Sequence, residues 1–229
     1  MTAIQLHYDA LFSAARVVLA ESFDGTRSDQ MSKSHAFVRD LEDWASELAY
    51  RPEIEVLRHA IKEYQLALFS LAQGAYRSAF SSLRLTIELS MATVLWSANE
   101  RELREWKSGT RDTNWTALSC KEIGVMSKSF VRLFTSELEQ DAPIHLSTAC
   151  ALYRECSEYV HGNHKSSLTV PDSLMFDSNL FESWHQRAHS AKMIISFCLA
   201  ARYLCDMTNE SRIRLEPVLV DSLWHIEGP

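Results

Sequence analysis

The stretch ACALYRECSEYVHGNHK, residues Ala149–Lys165, decides how the rest of the chain is read. Ala149, Leu152, Tyr153, Cys156 and Val160 recur at three- and four-residue steps, the spacing of a core-facing helical stripe. Gly162–Asn163 follow at once, and glycine just past the last periodic residue stops a helix. The spacing therefore predicts a buried helix over 143–161 that starts at Pro143 and carries His161 in its final turn.

Arg154 and His161 are seven residues apart, so they return to nearly one azimuth about two turns apart. Ser157 sits between them and Glu158 flanks the same strip. A guanidinium, a hydroxyl and an imidazole are thus aligned beside an apolar stripe, at the helix end where positive charge is favoured. Histidine changes charge near neutral pH, which suits it to proton transfer. The plainer alternative is an ordinary Arg154–Glu158 ion pair with His161 capping the last carbonyls.

Working outward, the same periodicity recurs. Apolar spacing predicts a helix over 3–22, a polar loop over 24–33, and a helix over 35–50 capped by Ser34. Pro52 fits the start of the next helix, which Gly74 ends. Residues 75–98 form a long helix with Ala79, Leu83, Ile87 and Met91 as its stripe. Arg84 and Glu88 are i,i+4 partners close to that stripe, and Arg77 shares their side. They are either a partly exposed salt bridge or a second charged wall facing the Arg154–His161 strip.

Asn114 caps a short helix over 115–122, and Ser127 caps another over 128–140. A long connection over 162–178 leads to a helix over 180–208, and the tail over 211–229 has the alternation of a strand or an extended arm. No internal repeat or linker breaks the chain. The expectation is an all-α antiparallel bundle over 51–210, with an N-terminal helical extension over 1–50 and a C-terminal tail.

The totals agree with a helical globule. Hydrophobic residues make up 46% and charged residues 23%, enough for a sizeable core. Only 6 Gly and 5 Pro interrupt 229 residues, which favours long helices over a sheet with many turns. A net charge of −7 excludes a wholly basic nucleic-acid-binding surface but leaves room for a local basic groove. The odd count of 5 cysteines without C-x-x-C points to free thiols in a reducing cytoplasm. The N-terminus lacks the basic region of a secretory signal, and the longest apolar run, Met193–Ala201, is too short to span a bilayer.

Nucleotide-binding glycine loops, the nucleophile elbow and the zincin motif are absent, so no cofactor is implied. Two histidine pairs, His161 with His164 and His185 with His189, have metal-ligand spacing, with Asp177 or Glu182 available to complete a site.

The segment R-E-C-S-E-Y-V-H, Arg154–His161, resembles the R-x(4–6)-H pattern of the HEPN superfamily, the higher eukaryote and prokaryote nucleotide-binding domains. The segment AYRSAFSSLRLTIELS resembles the earlier long helix of such domains, which carries an arginine and an acidic residue. The resemblance covers roughly residues 55–208. It implies a ribonuclease that cleaves RNA without metal by 2′-OH attack, leaving a 2′,3′-cyclic phosphate, in a defence or toxin–antitoxin setting. In that reading His161 is the general acid–base and Arg154 clamps the phosphate. Ser157 orients it, and Glu158 or Glu88, with Arg84 nearby, hold the strip in place. The resemblance also implies a homodimer and an antitoxin or regulatory partner. Tyr153, Ser157 and Val160–His161–Gly162 equally resemble the ending of relatives that keep the bundle without nuclease activity. Glu155 stands where active members carry Asn, Asp or His, so a non-catalytic module binding a nucleotide or a protein is the alternative.

Overall fold

Few breakers and long 3.6-residue periodicity produce a fully helical chain. The computed structural model describes residues 1–161 and 169–223, with ten α-helices and no strand among them. In order these are α1 (Ala3–Ser22), α2 (Thr26–Glu47), α3 (Ile54–Ala72), α4 (Tyr76–Ser97) and α5 (Glu100–Lys107). They continue with α6 (Trp115–Leu118), α7 (Lys128–Phe134), α8 (Ala142–Val160), α9 (Ser178–Tyr203) and α10 (Asn209–Leu223). No described helix is long and apolar enough to cross a membrane.

The bundle is built around α4. It packs along α3 on one side and against α8 and α9 on the others. Its Leu83, Ile87, Met91 and Val94 are fully buried, as the stripe predicts. The second pillar is α9, in which Ile194–Tyr203 is buried without a break, the signature of an element surrounded on all sides. From α2, Phe37, Leu41 and Trp44 enter the same core. The α3–α4 turn needs Gly74, which has φ +75°. A side-chain carbon there would lie 2.9 Å from the Met175 carbonyl oxygen, so the turn and the strand of chain leading to α9 touch without room for more.

Capping follows the sequence where the caps are polar. Asn114 Oδ1 accepts from the Ala117 amide and Ser127 Oγ from the Phe130 amide. Both helices are shorter than the spacing predicts, ending at Leu118 and at Phe134. Three expectations are corrected. Residues 26–33 are helical, not a loop: Gly25, at φ +55°, turns the chain, and α2 begins directly after it. Ser34 therefore lies inside α2 and is not its cap. The tail is helical through Leu223, with Pro217 within the helix and Leu215 and Val218 buried; its apparent alternation is the 3–4 spacing of one helical face. Of the cysteines, Cys150 and Cys205 are exposed, while Cys156 and Cys198 are buried and pack as small hydrophobes. Burial pushes both thiols up to about 12.

Candidate functional site at the α4–α8 seam

Two arginines on α4 reach across to α8. Arg77 Nε donates to the Tyr159 carbonyl at 2.7 Å, satisfying an acceptor that the last turn of α8 leaves open. One heptad further on, Arg84 Nε donates to Ser157 Oγ at 3.0 Å and its Nη2 donates to the Tyr153 hydroxyl. The same guanidinium lies 3.5 Å from Glu88 Oε2 and 4.4 Å from the centre of the Tyr153 ring. Both readings of the 77–84–88 spacing hold in part: Arg84 and Glu88 form the salt bridge, and the arginines face α8 at Ser157 and Tyr159, not at Arg154 and His161.

Glu88 is the hub of the wall. It is buried, and a buried carboxylate persists only if its lone pairs are occupied. Thr113 Oγ1 donates to Oε1 at 2.7 Å, and the Tyr153 hydroxyl donates to Oε2 at 3.3 Å. Burial and the neighbouring carboxylate of Glu88 raise the Tyr153 phenol above its ordinary value, so it remains a donor to Glu88 while it accepts from Arg84. Trp115 covers the ring: the two aromatic planes are parallel within 2°, their centroids 3.6 Å apart. Arg84 and Glu88 offset each other in charge within the wall.

The α8 strip is arranged differently. Arg154 is exposed and makes no hydrogen bond or ion pair among the described residues. His161 is exposed and takes the C-cap position, its amide bonded to the Ser157 carbonyl at 3.2 Å. Glu158 is exposed as well. The neighbouring Glu155 pairs with Arg187 of α9 at 3.0 Å. Of the six expected site residues, the fold brings Arg84, Glu88 and Ser157 together. It leaves Arg154, Glu158 and His161 on the outer side of the helix. Glu88 steadies Arg84, not Arg154. Gly162, Asn163 and His164 lie outside the described residues.

Tyr153, Thr113 and Trp115 complete the wall and were not singled out as site residues. Tyr153 fits the apolar stripe so well that its hydroxyl passes for a core-edge group. Thr113 and Trp115 arrive from a charged segment with no spacing relation to α4 or α8.

A second polar pocket lies between α2, α3 and α9. Its cavity of about 170 Å³ is lined by Lys33, Ser34, Tyr64, His185 and Lys192 among others. Ser34 Oγ is 2.7 Å from His185 Nδ1, and Tyr64 donates to the Ser34 carbonyl. Burial lowers His185 to about 4. Its Nε2 and the neighbouring Trp184 Nε1 have no hydrogen-bond partner among the described residues. Lys192 bridges Asp40 at 2.7 Å and Asp221 at 2.5 Å. As for the metal reading, no three His, Cys, Asp or Glu converge among the described residues. Asp177 instead caps α9, accepting from the Leu180 amide.

No family model, curated protein or solved structure matches the chain.

Proposed function

We propose that the outer strip of α8 receives an RNA phosphate and that the chain is a metal-independent endoribonuclease of the HEPN type. One contrast carries this reading. Arg84 and Arg187 are both paired with carboxylates, while Arg154, on the exposed face of the α8 helix that ends at His161, makes no ion pair among the described residues. An arginine kept free of carboxylates is available for bidentate contact with phosphoryl oxygens. In the reaction His161 takes the proton of the ribose 2′-OH. The 2′-oxygen bonds to phosphorus and the bond to the 5′-oxygen breaks, that oxygen taking a proton from water. A 2′,3′-cyclic phosphate and a 5′-hydroxyl result, and Arg154 stabilises the charge gathered on the phosphoryl oxygens. By the same resemblance the setting is cytoplasmic defence or a toxin–antitoxin pair, with an antitoxin or regulatory protein as partner.

The second reading, a non-catalytic module that binds a nucleotide or a protein, draws on Ser157. Its single hydroxyl proton goes to the Tyr153 carbonyl at 2.7 Å, so it has no donor left for a phosphate.

Incubation of the purified chain with RNA in EDTA, followed by end-group analysis, decides between them. The nuclease reading expects cyclic-phosphate ends from the wild type and a loss of roughly 10²-fold or more in His161→Ala and Arg154→Ala. Cleavage that survives both substitutions overturns it. Saturable nucleotide binding without cleavage supports the module.

A further inference from the structure

The N-terminal helix is poorly used by its own chain. A capping box starts it, with the Gln5 amide bonded to Thr2 Oγ1 at 3.3 Å and the Thr2 amide to Gln5 Oε1 at 2.8 Å. It then runs 20 residues, of which only Val18 and Ser22 are buried. Ile4 is 70% exposed, Phe12 65%, and Tyr8, Leu11, Leu19 and the following Phe23 are also open. An apolar helical face of this size has little reason to stay in water.

The pattern on that face is self-complementary. Tyr8, Phe12, Ala15 and Leu19 follow a 4-3-4 spacing, the seam of a two-helix contact. Asp9 and Arg16 are seven residues apart on one flank of the seam, and neither makes an ion pair among the described residues. In an antiparallel pair with its two-fold axis near Ser13–Ala14, Tyr8 lies opposite Leu19 of the second copy and Phe12 opposite Ala15. The same alignment brings Asp9 of each copy toward Arg16 of the other. The area is sufficient. The fractional exposures of Ile4, Tyr8, Leu11, Phe12, Leu19 and Phe23 correspond to on the order of 600 Å² of apolar surface per copy. A standard interface buries about 800 Å² per partner, about 65% of it apolar in homodimers.

We infer that α1 is the dimerisation arm of this protein, pairing antiparallel with α1 of a second copy. This does not rest on the reading of α8.

Sedimentation velocity on the full chain tests it. The expected wild-type mass is twice 26.2 kDa. Phe12→Asp should sediment as a single chain with unchanged helical circular dichroism, because Phe12 touches no core. Asp9→Arg should weaken the dimer roughly tenfold, and Asp9→Arg with Arg16→Asp should restore it. Arg154→Ala should leave the mass unchanged. A monomeric wild type assigns the arm to another occupant and overturns the inference. So does a dimer that tolerates Phe12→Asp, or one that Arg154→Ala dissociates. A charge swap without rescue overturns the antiparallel register.

Discussion

The α4–α8 seam and the α2–α9 seam both bury charge, and they treat it in opposite ways. At α4–α8 each polar atom of Glu88 has a donor, and the arginine opposite is spread over a carboxylate, a phenol and a serine. At α2–α9 a lysine holds two carboxylates, while the imidazole and indole beside it each keep a nitrogen without a partner among the described residues. A fully satisfied cluster fixes the register of two helices, and trimming one member strands the partners it leaves behind. A partly satisfied one concentrates its energy in a few atoms and responds to pH.

The largest effect expected from this contrast is at Lys192. Removing its ammonium leaves the Asp40 carboxylate buried without a counter-ion, so Lys192→Ala should cost about 3–5 kcal/mol in urea unfolding. Lys192→Met combined with Asp40→Leu should recover much of that loss, since it removes both charges. Failure of the double variant to recover would show that the pair sets geometry and not only charge.

A pH dependence comes next. His185 is held at about 4 in the folded chain and returns to about 6.5 when unfolded. Below pH 6.5 the unfolded chain takes up a proton that the folded chain refuses, so stability falls from pH 6.5 to about 4 and then levels. The whole effect is roughly 3 kcal/mol, and His185→Leu should flatten the profile in that window. Glu47 is held at about 2, mainly by its hydrogen bonds from Arg214 and Ser211. It acts in a separate window, lending stability that is present above about pH 4.5 and lost as pH falls toward 2.

The smallest effects belong to the α4–α8 seam. Tyr153→Phe removes one hydroxyl and keeps the Trp115 stack, so it should cost about 1–2 kcal/mol. Arg154→Ala, on the outer face of the same helix, should change stability by no more than about 0.5 kcal/mol. A larger loss would mean that the guanidinium has a structural task and is not held in reserve for a ligand.

Much of this was readable from periodicity. The stripes of α4 and α8 identify the core except at Val160, which is exposed, because a helix buried on one face must repeat its apolar residues at 3.6. The Arg77–Arg84–Glu88 spacing placed three charges on one side of α4 and left open whether they form a salt bridge or a wall against α8. Periodicity fails where the residue types serve two purposes. The polar run after Gly25 has no stripe beyond Met31, so it reads as a loop although it is the first turns of α2. Pro217 reads as a break, yet buried Leu215 and Val218 draw the helix through it. The partners of Glu88 come from residues 113 and 153, and no local spacing encodes a meeting across that distance in the chain.

The Trp115–Tyr153 stack has a practical corollary. An indole lying flat on a phenol that is itself bonded to a guanidinium and a carboxylate has an emission tied to that contact. Any event that slides α8 along α4, whether a bound nucleotide or a docking protein, will alter the fluorescence of Trp115. The chain thus carries its own optical gauge of the α4–α8 seam.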